Sequence, residues 1–119
     1  MMRYSEAIRL GSMLRPQGFG YQHQQGSGSC ANNAAIEASG AKNVFEAWPW
    51  AEVVVPCPVC SKTVHPGFAR GLHGTVAHLN DIHRWTRERI ADWVEEQENL
   101  YQPQSIVMGQ IPSVVTIQG

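Results

Sequence analysis

CPVCSKTVHPGFARGLHGTVAHLNDIH, residues 57–83, decides how this chain is built. It gathers two of the three cysteines and four of the five histidines of a 119-residue chain into 27 positions. Cys57-Pro58-Val59-Cys60 is a C-x2-C turn that sets two sulfurs on one side, and Pro58 fixes one of its dihedrals. Thiolates at that spacing bind a zinc ion at about 2.3 Å, and the remaining soft donors downstream are histidines.

Two registers compete for the second pair. Cys57, Cys60, His73 and His78 give C-x2-C-x12-H-x4-H, whereas Cys57, Cys60, His78 and His83 give C-x2-C-x17-H-x4-H. The first needs a helix through Gly67, Gly71 and Gly74, at about 0.5–1 kcal/mol per glycine relative to alanine. The second needs only GTVAHLNDIH, with Thr75 as cap and Val76, Leu79 and Ile82 facing inward. We prefer His78 and His83, with His73 as the alternative ligand. Residues five apart stand about 140° apart round an ideal helix, so the last turn must loosen. His65, before Pro66, reads as a surface residue.

The stretch resembles a C2H2-type zinc finger, in which a hairpin carries the cysteines and a helix the histidines. The connection is longer than the finger pattern. The wider pattern, with SEAIRLG, SCANNAAIEASG and AHLNDIHRWTRERIADWV, resembles a group of small bacterial and phage-borne proteins of uncharacterised activity. That likeness implies no function.

Upstream, EVVVP reads as a short strand leading into Cys57, with Trp48 and Trp50 as core anchors. SCANNAAIEASG reads as a helix capped by Ser29 and stopped by Gly40, with Ala31, Ala34, Ala35 and Ala38 forming a face another helix can approach closely. Cys30 reads as a buried small apolar residue. YSEAIRLGSMLRP reads as a helix capped by Ser5, with Ala7, Ile8, Gly11 and Leu14 on one stripe. QGFGYQHQQGSGSC is a loop in which His23 reads as a solvated residue.

Downstream, Thr86 caps a helix whose stripe is Ile90, Trp93, Val94 and Gln97, with Trp85 and Ile90 at hydrophobic-staple positions. Glu95, Glu96 and Glu98 make its end acidic. The closing SIVM and SVVTI runs predict a hairpin or an extended tail. The expected fold is therefore α+β: one small, mainly helical domain over 1–100, built round a zinc-held β-hairpin plus helix at 53–84, with a tail or short hairpin at 101–119.

Net charge is −1 and the pI about 6.5, so no broad basic field exists to attract phosphate backbones. No apolar run is long enough to span a bilayer, no secretory signal is evident, and three cysteines do not form a disulfide framework. A reducing, cytoplasmic setting is expected. A redox use of C-x2-C requires a strand–loop–helix context, and a loop without helix propensity follows instead.

Four protein ligands make a closed, structural zinc site. The expected role is an interaction or regulatory module with a protein partner. The alternative is a DNA-binding regulator gripping phosphates through Arg70, Arg84, Arg87 and Arg89. A His-Asn-His-type nuclease is the enzymatic rival, but HGTVAHLNDIH lacks the usual separation between its asparagine and last histidine. No catalytic residue is assigned.

Overall fold

A computed structural model describes residues 2–19, 28–63 and 71–101. Its regular elements are the helices α1 (Tyr4–Gly11), α2 (Ala31–Ser39), α3 (Val44–Ala47), α4 (Gly71–Asp81) and α5 (Arg87–Tyr101), with a 3-10 turn at Pro49–Glu52. The four helices expected from periodicity are all present. The expected β-hairpin is not: among the described residues there is no strand, and the one β-bridge is an isolated pairing of Gln17 with Ser29. The fold is helical, and the α+β expectation is corrected.

The reason is visible at EVVVP. A strand needs its carbonyls to face another strand. Here the Val53 carbonyl accepts from the Leu72 N–H at 2.7 Å, and the Val55 carbonyl accepts from the Thr75 hydroxyl at 2.8 Å. The start of α4 occupies the edge a hairpin partner would have used. This junction is tight: Gly71 has φ +55°, and a Cβ there would lie 2.3 Å from the Glu52 carbonyl oxygen. Only glycine fits. The tail at 102–119 lies outside the described residues, and Tyr101 ends α5.

α1 and α2 meet through small residues. A Cβ on Gly11 would come within 1.9 Å of the Ala34 carbonyl oxygen, so the two backbones touch where Gly11 meets the alanine face of α2. Ala31, Ala34 and Ala35 are fully buried, as the small-residue pattern predicts. α1 ends at Gly11, one turn earlier than expected, which leaves Leu14 exposed. Gly40, with φ +77°, stops α2.

α5 follows its predicted stripe. Ile90, Ala91, Trp93, Val94 and Gln97 are buried, and the Thr86 hydroxyl caps by accepting from the Arg89 N–H at 3.1 Å. Leu72, Val76 and Leu79 from α4 complete a core shared with Tyr4, Ile8, Val44 and Trp48. Each fully buried large apolar side chain contributes about 1.5–3 kcal/mol. Trp48 stacks on Tyr4 with centroids 4.9 Å apart and donates its indole N–H to the Met2 carbonyl at 3.0 Å. Burial pushes the Tyr4 phenol well above its usual range, and its hydroxyl donates to the Asn32 side-chain carbonyl.

Two capping expectations are corrected by long-range partners. Cys30, not Ser29, caps α2: its sulfur accepts from the Asn33 N–H at 3.4 Å. Ser29 is held instead by Arg87. Ser5 lies inside α1, whose cap is Arg3, and bonds to Glu98 of α5.

Candidate metal centre

The knuckle forms locally. The Cys57 N–H donates to the Lys62 carbonyl at 2.8 Å, and the Ser61 N–H donates to the Cys57 carbonyl at 2.9 Å. Ser61 takes φ +66° to close the turn. The Cys57 sulfur accepts from the Val59 N–H at 3.4 Å. Val55 and Cys57 are in the core, so the turn is seated against α4 rather than free in solvent.

α4 supplies the other side. It begins at Gly71 rather than at Gly74, and takes Gly71 and Gly74 into the helix. Thr75 is one turn in, its hydroxyl spent on the Val55 and Gly71 carbonyls, so it is not the cap. The cost assigned to these glycines did not keep the helix out, because the Val53 and Val55 contacts hold its first turn. The end of the helix loosens as the ligand spacing demands. The His83 N–H reaches the His78 carbonyl five residues back, at 3.4 Å, and Arg84 then turns the chain with φ +54°. Ile82 is 66% exposed, where an inward packing role was expected.

Cys57, Cys60, His78 and His83 converge. One donor atom from each lies within 4.8 Å of all the others. The Cys60 sulfur and His78 Nε2 are 3.4 Å apart, close to the edge of about 3.6 Å that follows for a tetrahedral site with zinc-like bond lengths. The His78 and His83 rings meet edge-to-face at 4.8 Å between centroids. His83 Nε2 is buried and has no hydrogen-bond partner among the described residues, so it is not committed to another group. Burial first, and then the neighbouring His83 and Lys62, hold the His78 pKa below the usual histidine value, which favours the neutral imidazole a metal requires. These four residues can hold a metal ion.

His73 is not in the group. Its ring lies against Phe45, 5.0 Å between centroids, and its carbonyl accepts from the Asn32 amide at 3.2 Å. Of the two registers, the longer one has its four donors close together. His65 and Arg70 lie outside the described residues, as does His23.

The arginines separate. Arg87 is 8% exposed, and its guanidinium donates to the Ser29 hydroxyl at 2.9 Å and to the carbonyls of Arg15 at 2.7 Å and Ser12 at 3.3 Å. It ties the start of α5 to the loop after α1. Arg84 and Arg89 are exposed.

Asn80 is fully buried. Its carbonyl oxygen accepts from the Gln17 amide at 2.9 Å and the Ala31 N–H at 3.2 Å, while its amide donates to the Gly18 carbonyl at 2.9 Å. A nuclease asparagine would have to face substrate, and this one faces the core. Its position four residues after Val76, on the buried stripe, is the signal that would have found it.

No protein-family model, curated protein or solved structure matches this chain. The likenesses to zinc fingers and to small bacterial and phage-borne proteins thus rest on local pattern alone, and the four converging donors are what the structure adds. Among the described residues, no helix is long and apolar enough to cross a membrane.

Proposed function

We propose that this chain is a small interaction module whose fold is closed by a structural zinc ion at Cys57, Cys60, His78 and His83. The convergence of these four donors carries the reading. Two thiolates with two imidazoles make a tetrahedral zinc set, and four protein donors leave no position for the water a catalytic zinc needs. With zinc bound there, the turn at 57–62 and the last turn of α4 would be tied together, and the binding energy would add to folding energy. Thiolate ligands suit a reducing compartment, in keeping with a cytoplasmic setting. Val59 and Ile82, each immediately before a ligand, are apolar and exposed, and metal binding would fix both for contact with a protein partner.

Elemental analysis of protein purified without added metal tests this. One zinc ion per chain, lost in both Cys57→Ser and His83→Ala, supports the site. Zinc kept in His83→Ala, or no zinc at all, overturns it.

A second reading, contact with nucleic acid, is favoured by a separate observation. Arg9 and Arg15 are each paired with carboxylates at 2.7 Å, whereas exposed Arg84 and Arg89 have no carboxylate partner among the described residues.

A further inference from the structure

Beside the metal centre, two guanidinium groups lie over aromatic rings. Arg84 Cζ is 4.4 Å from the centroid of Phe19, and Arg89 Cζ is 3.9 Å from the centroid of Trp85. Both rings are half-buried. The two pairs stand on joined segments, because the segment carrying Phe19 is fastened to the segment carrying Trp85. The Gln17 amide donates to the Trp85 carbonyl at 2.8 Å, and buried Asn80 holds both Gln17 and Gly18. Arg84 directly follows the ligand His83, so the metal centre and this surface share a backbone. Lys62, at the end of the knuckle turn, is exposed. The acidic groups nearby are Asp81, which accepts from the Asn80 amide at 2.8 Å, and exposed Glu88 in the first turn of α5.

The chemistry of such a surface is specific. A guanidinium held on a ring is planar, always charged and weakly hydrated. Its outer face can stack an unpaired base, and its N–H edges can donate to a phosphate. Duplex reading asks for something else: side chains reaching from a helix tip into a groove to meet base edges. Arg84 and Arg89 are instead folded back onto Phe19 and Trp85. Arg87, which would have continued a phosphate-gripping strip, is spent on carbonyls inside.

We propose that the Arg84–Phe19 and Arg89–Trp85 pairs form a stacking platform for single-stranded nucleic acid. This rests on the nucleic-acid reading above and narrows it to unpaired strands. Recognition is sequence-tolerant, since every base has a π-face and the contacts to phosphate are to a repeated group. The footprint is a few nucleotides, so affinity is modest and falls with salt.

The test uses the full chain, as purified with its metal, and fluorescence anisotropy at low salt. The probes are a labelled oligothymidylate of about twenty residues, a duplex of the same length, and poly-glutamate as a non-nucleic polyanion. The oligothymidylate should bind at least about 10-fold more tightly than the duplex or poly-glutamate, and should quench wild-type tryptophan emission. Arg84→Gln with Arg89→Gln should weaken binding about 10-fold or more. Arg84→Lys with Arg89→Lys, which keeps the charge and removes the planar stack, should weaken it nearly as much. Metal content and circular dichroism of each variant show that the fold persists, and the wild-type quenching needs no variant at all. Equal binding of duplex and single strand, or lysine variants at wild-type level, overturns the platform and leaves nucleic-acid contact standing. No binding of either nucleic acid overturns both. Preference for poly-glutamate assigns the surface to an acidic protein partner and overturns the proposal.

Discussion

The carboxylate of Glu98, near the end of α5, closes the start of α1 by accepting from Ser5 twice: from its backbone N–H at 2.9 Å and from its hydroxyl at 2.6 Å. Arg3 Nε adds an ion pair at 3.3 Å. A helix N-terminus exposes unpaired N–H groups and a partial positive charge, so a buried carboxylate is stabilised there. Glu98→Ala leaves Ser5 with two buried donors and no acceptor. It should lower stability by about 2–3 kcal/mol, read as a shift in urea midpoint without a change in slope. Glu96→Ala, on the exposed side of the same turn, should change stability by less than about 0.5 kcal/mol.

Gly11 and Gly40 should respond to alanine for different reasons. At Gly11 the new methyl group meets the Ala34 backbone at 1.9 Å, and backbone cannot swing aside. α1 and α2 must separate, at about 3 kcal/mol, well above the gain in helix propensity of about 1 kcal/mol. At Gly40 nothing lies within 4 Å, and the cost is the left-handed φ of +77° alone, about 1–2 kcal/mol. Thermal unfolding of the two variants should rank them in that order.

Arg87→Ala should behave as a core substitution. The Ser29 hydroxyl and the Ser12 and Arg15 carbonyls lose their donor together, so a loss of about 2–3 kcal/mol is expected. Arg84→Ala and Arg89→Ala, at exposed positions, should each stay within about 1 kcal/mol of wild type. Chemical denaturation of the three variants separates a buried strut from surface charges.

Chelation should loosen the site end first. Removing metal with a chelator leaves Cys57, Cys60, His78 and His83 without the ion proposed to join them. Amide exchange at 57–62 and at the end of α4 should quicken more than exchange in the middle of α5. His83→Ala should lower zinc affinity by more than the about 10–100-fold typical of changes outside the ligand set, whereas His73→Ala should not.

Acid should destabilise the metal-free protein. The His78 pKa is lowered in the fold, by burial first. The unfolded chain therefore takes up more protons than the folded one as pH falls below about 6.5. The stability contributed is present above that value and lost as pH drops through it toward the folded pKa. Urea midpoints of the metal-free protein should fall as pH drops below about 6.5, and His78→Gln should flatten that fall.

What could be read from the residues in order was whatever depends on neighbours in order. The C-x2-C turn, the spacing of His78 and His83, the demand for a loosened last turn, the Thr86 cap and the α5 stripe are set within one or two turns of chain. They stand in the fold as the pattern implied. The polar groups that organise the interior were misread because their partners lie far away in sequence: Ser5 with Glu98 at a separation of 93, Arg15 with Arg87 at 72, Gln17 with Asn80 at 63. A hint was present, since Asn80, Glu98 and Arg87 each stand three or four residues from buried Val76, Val94 and Ile90. Spacing alone does not say whether a polar side chain on a buried stripe finds a partner there. EVVVP shows the same division. Its β-branched run favours extended backbone, which Val53 adopts, while Glu52 closes the 3-10 turn. Whether it joined a sheet was decided by which donors reached Val53 and Val55 first, and α4, packed across them, supplied both.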